Sequence, residues 1–231
     1  MKEKILVLGA SGLNGSAIFL HFLNHLKDNY DIYGSYFRNE IYFKDEIRAK
    51  LFKFNCLSED SIIKIFERYN PSVIINCIGV TKHLSNNFTE GETKFINSIF
   101  PHKLVEYCDK CSTRLIHLST DCVFSGKKGN YKEDDYPDAT DLYGKTKKAG
   151  EFNHHKHLTI RTSVVGHEIA LSNGLLEWFL KQEENCDGYF NALFSGVTTN
   201  ELSYIIANYV INNKKISGLY HVGGIKINKY A

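Results

Sequence analysis

The sequence predicts an α/β fold, a doubly wound parallel sheet with helices on both faces, and three observations predict it. Short apolar runs of strand length recur at residues 5–8, 32–37, 72–77, 115–118, 158–160 and 218–222. Segments with apolar residues at helical spacing stand between most of them, the alternation that builds parallel sheets. The first run ends in a glycine-rich turn that opens directly into such a helix.

With 231 residues, the chain suits one large domain or a domain with a small appendage, and a hydrophobic share of 43% supports a real core. The formal charge is +2, from 28 basic and 26 acidic residues. That balance excludes a polyelectrolyte partner, and the lysine clusters at 127–128 and 145–148 are too short for nucleic-acid binding. The opening apolar run is too brief and too acidic in its flank for a signal peptide, and no run reaches membrane-spanning length. Six scattered cysteines read as free thiols of a reducing cytoplasm. The C-x-x-C of Cys108 and Cys111 lacks a second pair for zinc, the histidines at 154, 155 and 157 read as solvated, and His21 and His25 lack a glutamate in register, so no metal is expected.

The first strand runs into Gly9, Ala10, Ser11, Gly12, Leu13, Asn14 and Gly15, followed by Ala17, Ile18, Phe19, Phe22, Leu23 and Leu26 on one helical face. Gly9 allows the tight turn, Gly12 lets backbone approach a pyrophosphate, and Gly15 lets the helix pack close to the sheet with its N-terminus toward the phosphates. This is a dinucleotide-binding, Rossmann-type signature. The second strand ends in Ser35, Tyr36 and Arg38, where an acidic residue would hold the ribose hydroxyls of NAD. An arginine there pairs with the 2′-phosphate of NADP, which favours NADP(H) over NAD(H), with the nearby Glu40 keeping NAD(H) admissible. A short third strand from Leu51 reaches Asn55 and Cys56. Ser58, Glu59 and Asp60 start a helix that Asn70 and Pro71 stop. The fourth strand follows, ending at Asn76 and Cys77. Asn97 lies in the next helical stretch, as a site residue or as a polar residue on an exposed turn, and Pro101 kinks or restarts that helix.

After the run Leu115, Ile116 and Leu118 come Ser119, Thr120 and Asp121, at the carboxyl end of a strand, where open α/β sheets place ligands. Tyr143 and Lys147 form a Y-x-x-x-K pair on one helix face. A nearby ammonium lowers a phenol's pKa, so Tyr143 could exchange a proton with a carbonyl or alcohol oxygen. Further on, Arg161 ends another strand, either as a sheet anchor or facing a phosphate. Leu175, Leu176, Trp178, Phe179 and Leu180 read as a core helix, as do Ile205, Ile206 and Tyr209, and residues 218–222 as a last strand.

Residues 119–151 resemble the dTDP-4-dehydrorhamnose reductase branch of the extended short-chain dehydrogenases. The S-T-D-C-V-F-S-G block, Tyr131, Glu133, the Y-G-K-T-K stretch from Tyr143 to Lys147 and Ala149-Gly150-Glu151 carry the likeness. So does the G-x-x-G-x-x-G spacing of the first loop. Cys122 departs from the tyrosine commoner at its place, a change read as one of packing.

The resemblance implies Asn55, in place of an aspartate, with Cys56 against the adenine, and Cys77, Ile78 and Gly79 along the nicotinamide ribose. It implies catalysis by Thr120, Tyr143 and Lys147, with Thr120 and Asp121 toward the substrate and Tyr143 and Lys147 also touching the cofactor. The division would be residues 1–166 as the NAD(P)-binding domain and 167–231 as a substrate lobe, interleaved with the last strands and open to truncation, since the family usually continues with more helix. The implied activity is NADPH-dependent reduction of a nucleotide-activated 4-keto-6-deoxy sugar for surface polysaccharides, by a cytoplasmic homodimer. Its rivals are an epimerase or dehydratase with retained NAD, and a non-catalytic subunit like the regulatory partner of methionine adenosyltransferase in the same family.

Overall fold

The computed structural model describes residues 2–38, 43–169 and 174–229. Strand β1 (Glu3–Leu8) feeds helix α1 (Leu13–His25), and β2 (Tyr30–Tyr36) follows, then a single turn α2 (Asp45–Arg48) and β3 (Leu51–Lys53). Helix α3 (Glu59–Tyr69) begins at Ser58, whose hydroxyl accepts the Ser61 N–H, and ends at Asn70 in a left-handed conformation, φ 44°. Then come β4 (Val73–Asn76), α4 (Glu90–Lys94), a π turn at Phe95–Ile99, α5 (Phe100–Lys110) and β5 (Arg114–Thr120). Helix α6 (Leu142–Ala149), β6 (Leu158–Thr162) and the two-residue β7 (Val164–Val165) lead to α7 (Leu175–Leu180), β8 (Tyr189–Phe194) and β9 (Val197–Thr198). Helix α8 (Thr199–Ile205), β10 (Gly218–Val222) and β11 (Ile227–Lys229) complete the elements.

Seven strands form one sheet in the order β10-β6-β5-β4-β1-β2-β3, and every neighbouring pair is parallel. The order reverses between β1 and β4, where a doubly wound sheet opens its crevice. Alternate β1 residues feed two cores: Ile5 and Val7 pack with Phe19 and Phe22 of α1 and Leu202 of α8. Leu6 and Leu8 pack on the other face with Phe66 of α3 and Phe100 and Leu104 of α5. A strand covered on both faces reads as unbroken apolar sequence, which is why the first run lacked alternation.

Several expectations shift. The third strand stops at Lys53, short of Asn55 and Cys56, because Asn55 turns the chain: its side-chain oxygen accepts the Leu57 N–H and its own N–H goes to Ser61 Oγ. Beyond residue 166 the chain interleaves with the sheet, α8 packing against α1 and β10 pairing with β6. The apolar α7 is not core; Leu175, Trp178, Phe179 and Leu180 are each about half exposed, because no described element covers that face. Tyr209 is likewise exposed, with Ile206, Ala207 and Val210 taking the inner side of a π turn, which rotates the face relative to a regular helix. Among the described residues no helix is long and apolar enough to cross a membrane.

Candidate active site

The glycine loop has the form its sequence requires. Gly9 adopts φ +82° and its N–H is held by Ser35 Oγ at 2.9 Å, so the serine at the end of β2 buttresses the loop. A Cβ on Gly15 would stand 2.0 Å from the Gly9 carbonyl oxygen, which makes glycine obligatory for α1 to start so close to β1. Gly12 meets only that same carbonyl within 4 Å and otherwise faces open space. Ser11 and Leu13 flank it, half-buried, and Asn14 contributes a buried side-chain oxygen with no partner in the protein. An open backbone cradle at a helix N-terminus, with an unanswered polar atom beside it, fits a dinucleotide's phosphates and ribose.

At the next strand end, Asn76 is fully buried; its side-chain oxygen accepts the Ile78 N–H and its amide donates to His117 Nδ1 at 3.1 Å. Cys77 follows, its thiol pushed up to about 12 by burial. A Cβ on Gly79 would lie 3.8 Å from Lys147 Nζ and 3.4 Å from Asn97 Oδ1. Thus the Cys77–Gly79 segment, Lys147 and Asn97 share one wall. Asn97 is fully buried rather than on an exposed turn. Its oxygen accepts the Val80 N–H and its amide donates to the Val80 carbonyl and to Thr146 Oγ1. The π turn carries it, and the turn ends just before Pro101, which cannot donate to the Asn97 carbonyl four residues back. Helix α6 approaches that carbonyl so closely that a Cβ on Gly150 would lie 2.0 Å from it.

Thr120, buried at the end of β5, accepts the Cys122 N–H and donates to Asp121 Oδ1 at 3.2 Å, and its hydroxyl stands close enough to the Tyr143 phenol to act on it. Asp141 caps α6 by accepting the Gly144 N–H, which puts Tyr143 in the first turn. Burial pushes Tyr143 up to about 12; the Thr120 hydroxyl opposes that, while Cys122, Asp121 and Asp141 add to it. The lowering expected from Lys147 is therefore not what this site does. Lys147 is itself buried, held to about 8 by desolvation, and its ammonium donates to the Leu118 carbonyl at 2.8 Å. Lys82, Cys122, Phe124, Ser125, Lys127, Ala139, Thr140 and Asp141, just ahead of α6, line a cavity of about 280 Å³, and Thr120, Tyr143 and Lys147 are not among its lining residues.

The structure brings Gly9, Ile78, Gly79 and Lys147 into one wall, and Thr120, Asp121 and Tyr143 into another beside it. It leaves Arg38 and Asn55 beyond the β2 and β3 ends. Arg38 is exposed, its guanidinium over Phe37 at 5.3 Å and Phe88 at 5.6 Å; Glu40 lies outside the described residues. Cys56 is buried and its thiol raised to about 12. Arg161 is a sheet anchor: buried, it holds Glu151 through two bonds of 2.9 and 2.8 Å.

The six cysteines are free thiols. Contrary to expectation, His157 is fully buried and converges with His154 on Asp109, at 3.2 and 3.5 Å from its oxygens. Both rings accept a backbone N–H at Nδ1, from Leu115 and from Lys156. In the neutral rings the proton then sits on Nε2, on the side of the carboxylate, which leaves no free lone pair there for a metal, and the His157 Nε2 has no hydrogen-bond partner among the described residues.

The profile of the family described as RmlD substrate binding domain matches residues 3–230. Among solved structures, a hypothetical dTDP-4-dehydrorhamnose reductase from Sulfolobus tokodaii superimposes with a TM-score of 0.81 at 24% identity, covering 98% of this chain and 78% of that one. A dTDP-4-dehydrorhamnose reductase from Bacillus anthracis, solved in complex with NADP, gives 0.77 at 22% identity, covering 99% and 77%. Among curated proteins, methionine adenosyltransferase 2 subunit beta of Danio rerio is 30% identical over 150 residues, 64% of this chain and 42% of that protein. The probable low-salt glycan biosynthesis reductase Agl14 of Haloferax volcanii is 29% identical over 147 residues, 63% and 46% respectively. The chain spans less than half the length of these curated relatives. With its parallel sheet and glycine cradle, the chain belongs to the family described as RmlD substrate binding domain.

Proposed function

We propose that the chain is an NADPH-dependent reductase of a nucleotide-activated 4-keto-6-deoxy sugar. The carrying observation is Thr120 at the carboxyl end of β5 with the Tyr143 phenol of α6 beside it, in a sheet whose first strand ends in the glycine cradle of residues 9–15. A phenol held near 12 is protonated at neutral pH, which suits it to donate a proton to a carbonyl oxygen as that carbonyl is reduced. Thr120 orients the oxygen, and the Lys147 ammonium lies where a nicotinamide ribose would pass Gly79. The cofactor supplies the hydride when bound; the protein supplies placement and the proton. Gly9, Ser11, Gly12, Leu13, Asn14 and Gly15 would hold the pyrophosphate, Asn55 and Cys56 the adenine, and Cys77, Ile78 and Gly79 the nicotinamide ribose. Arg38 would take the 2′-phosphate, its ring contacts holding the guanidinium in place. Free thiols suit a cytoplasmic setting, and the product a role in surface polysaccharides.

Fluorescence titration with NADPH, followed by a panel of 4-keto nucleotide sugars, tests this. Binding with oxidation by a panel member supports it; binding with no oxidation by any member sinks it. A second reading, a nucleotide-binding regulatory subunit, is favoured by the likeness to methionine adenosyltransferase 2 subunit beta. A stable hetero-complex on pull-down without turnover would support that one.

A further inference from the structure

Lys147 sits in an unusual place for a charge. It is 4% exposed, and its ammonium has one hydrogen bond, to the Leu118 carbonyl. The groups that face it are few. From the segment after β4 come the Cys77 thiol, protonated at neutral pH, and Gly79; from β5 comes the fully buried His117 ring, kept neutral by burial and by Lys147 itself. Among the described residues the one carboxylate acting on it is Glu151, a helical turn on and just past the end of α6; Glu151 is held by Ser119, the residue next to the Leu118 whose carbonyl takes the ammonium. Glu151 is not a surface acid. Its side chain is 6% exposed and pinned from two strands: Ser119 of β5 donates to Oε1 at 2.6 Å, and Arg161 of β6 reaches both oxygens. Arg161 is fixed in turn by Phe124 beneath its guanidinium, by the Glu133 carbonyl at 3.3 Å and by His221 Nε2 on β10 at 3.2 Å. The Glu133 carboxylate closes the set by accepting the His221 N–H at 2.9 Å.

We propose that Glu151, clamped by Ser119 and Arg161, is the positioning residue that keeps the buried Lys147 ammonium charged beside the cofactor and substrate walls. A buried lysine loses its proton unless an anion offsets its desolvation, and that anion works only if its own position is fixed. The clamp supplies this from two neighbouring strands, and through His221 and Glu133 it ties the charge state of Lys147 to the docking of β10. The kinetic side rests on the reductase reading above; the electrostatic side does not.

The test is the titration of Lys147 Nζ, followed by NMR in protein with ¹⁵N-labelled lysine, its signal assigned by its loss in Lys147→Met. Wild type is expected to titrate near about 8. Glu151→Gln should lower that midpoint by about one pH unit or more, and Glu151→Asp, which keeps the charge, should stay close to wild type. A Gln variant that titrates with wild type overturns the proposal, as does an Asp variant that titrates with Gln. Should Glu151→Gln fail to fold, the wild-type Glu151 side-chain carboxyl ¹³C signal decides. It should move as Lys147 titrates, and a flat trace overturns the proposal. In turnover, the alkaline limb of kcat/KM should shift down in Glu151→Gln by the same interval, whereas a merely structural role lowers kcat at every pH and leaves the limb in place. Wild type inactive on every sugar but showing the expected NMR shifts would count against the reductase reading alone.

Discussion

Strand β5, RLIHLST, is buried at all seven positions, whereas α7, LLEWFL, buries none of its six. By composition α7 is the more hydrophobic. The difference is in what surrounds them: β5 has strands on both edges and a core on each face, while α7 has no described element over its apolar side. Burial is a property of neighbours, and local sequence reports it only where the neighbours are implied by the fold. The polar residues follow the same division. At the end of β5, Ser119, Thr120 and Lys147 are fixed by named bonds, and around α7 the polar contacts are exposed ones such as His167 to Glu177.

The contrast can be broken by substitution. The largest effect expected is on turnover: Tyr143→Phe should lower kcat by about 10²–10⁴-fold with little change in Tm, since the ring is kept and only the hydroxyl is lost, and full turnover would refute the proton-donor role. Next, Phe100→Ala, at a fully buried position, should cost about 3–5 kcal/mol in urea unfolding. Lys147→Met should go the other way for stability while abolishing activity. The sign follows from linkage: Lys147 is held near 8 in the folded protein and rises toward 10.5 when unfolded, so the unfolded chain binds more protons between those values. Wild-type stability should therefore climb as pH rises from about 8 to 10.5, and the Met variant should be flatter there and up to about 3 kcal/mol more stable at pH 7. A smaller effect is reserved for Arg38→Ala, which should weaken NADPH about 10-fold and NADH hardly at all. Trp178→Ala on α7 should change stability by no more than about 0.5 kcal/mol, and a larger loss would show that its face is covered in solution.

Much of the fold was legible because its signals are local. Gly9 and Gly15 announce a turn and a close approach, Ser58 a helix start and Asn70 its stop, and each stands where its chemistry demands. The shared helix face of Tyr143 and Lys147 follows from their spacing, and the strand-end position of Thr120 from the apolar run before it. What escaped depends on partners distant in sequence. Asn97 reads as an ordinary polar helix residue until Val80 and Thr146 close around it. Ser35 stood where an acid was sought, and its hydroxyl answers Gly9 instead. The Lys147 effect on Tyr143 was inferred from four-residue spacing, which fixes a shared face but not where a long side chain ends; its ammonium turned to the Leu118 carbonyl. Glu151 did leave a signal, lying one more helical turn beyond Lys147. His157 gave none, because its burial comes from Asp109 and Leu115 across the fold.

The sheet order also dictates a schedule of assembly. Two pairings close over long stretches: β4 joins β1 with Ile5 against Val73, and β10 joins β6 across some sixty residues, Leu158 against Gly218, as the last strand of the sheet. Until then the outer edge of β6 is a row of unpaired amides and carbonyls on a strand buried at every position in the finished sheet, a template for intermolecular pairing. A parallel closure over so long a loop is slow in entropic terms. A nascent chain released before residue 218 would thus carry an open, sticky margin, and aggregation during expression should concentrate in such fragments.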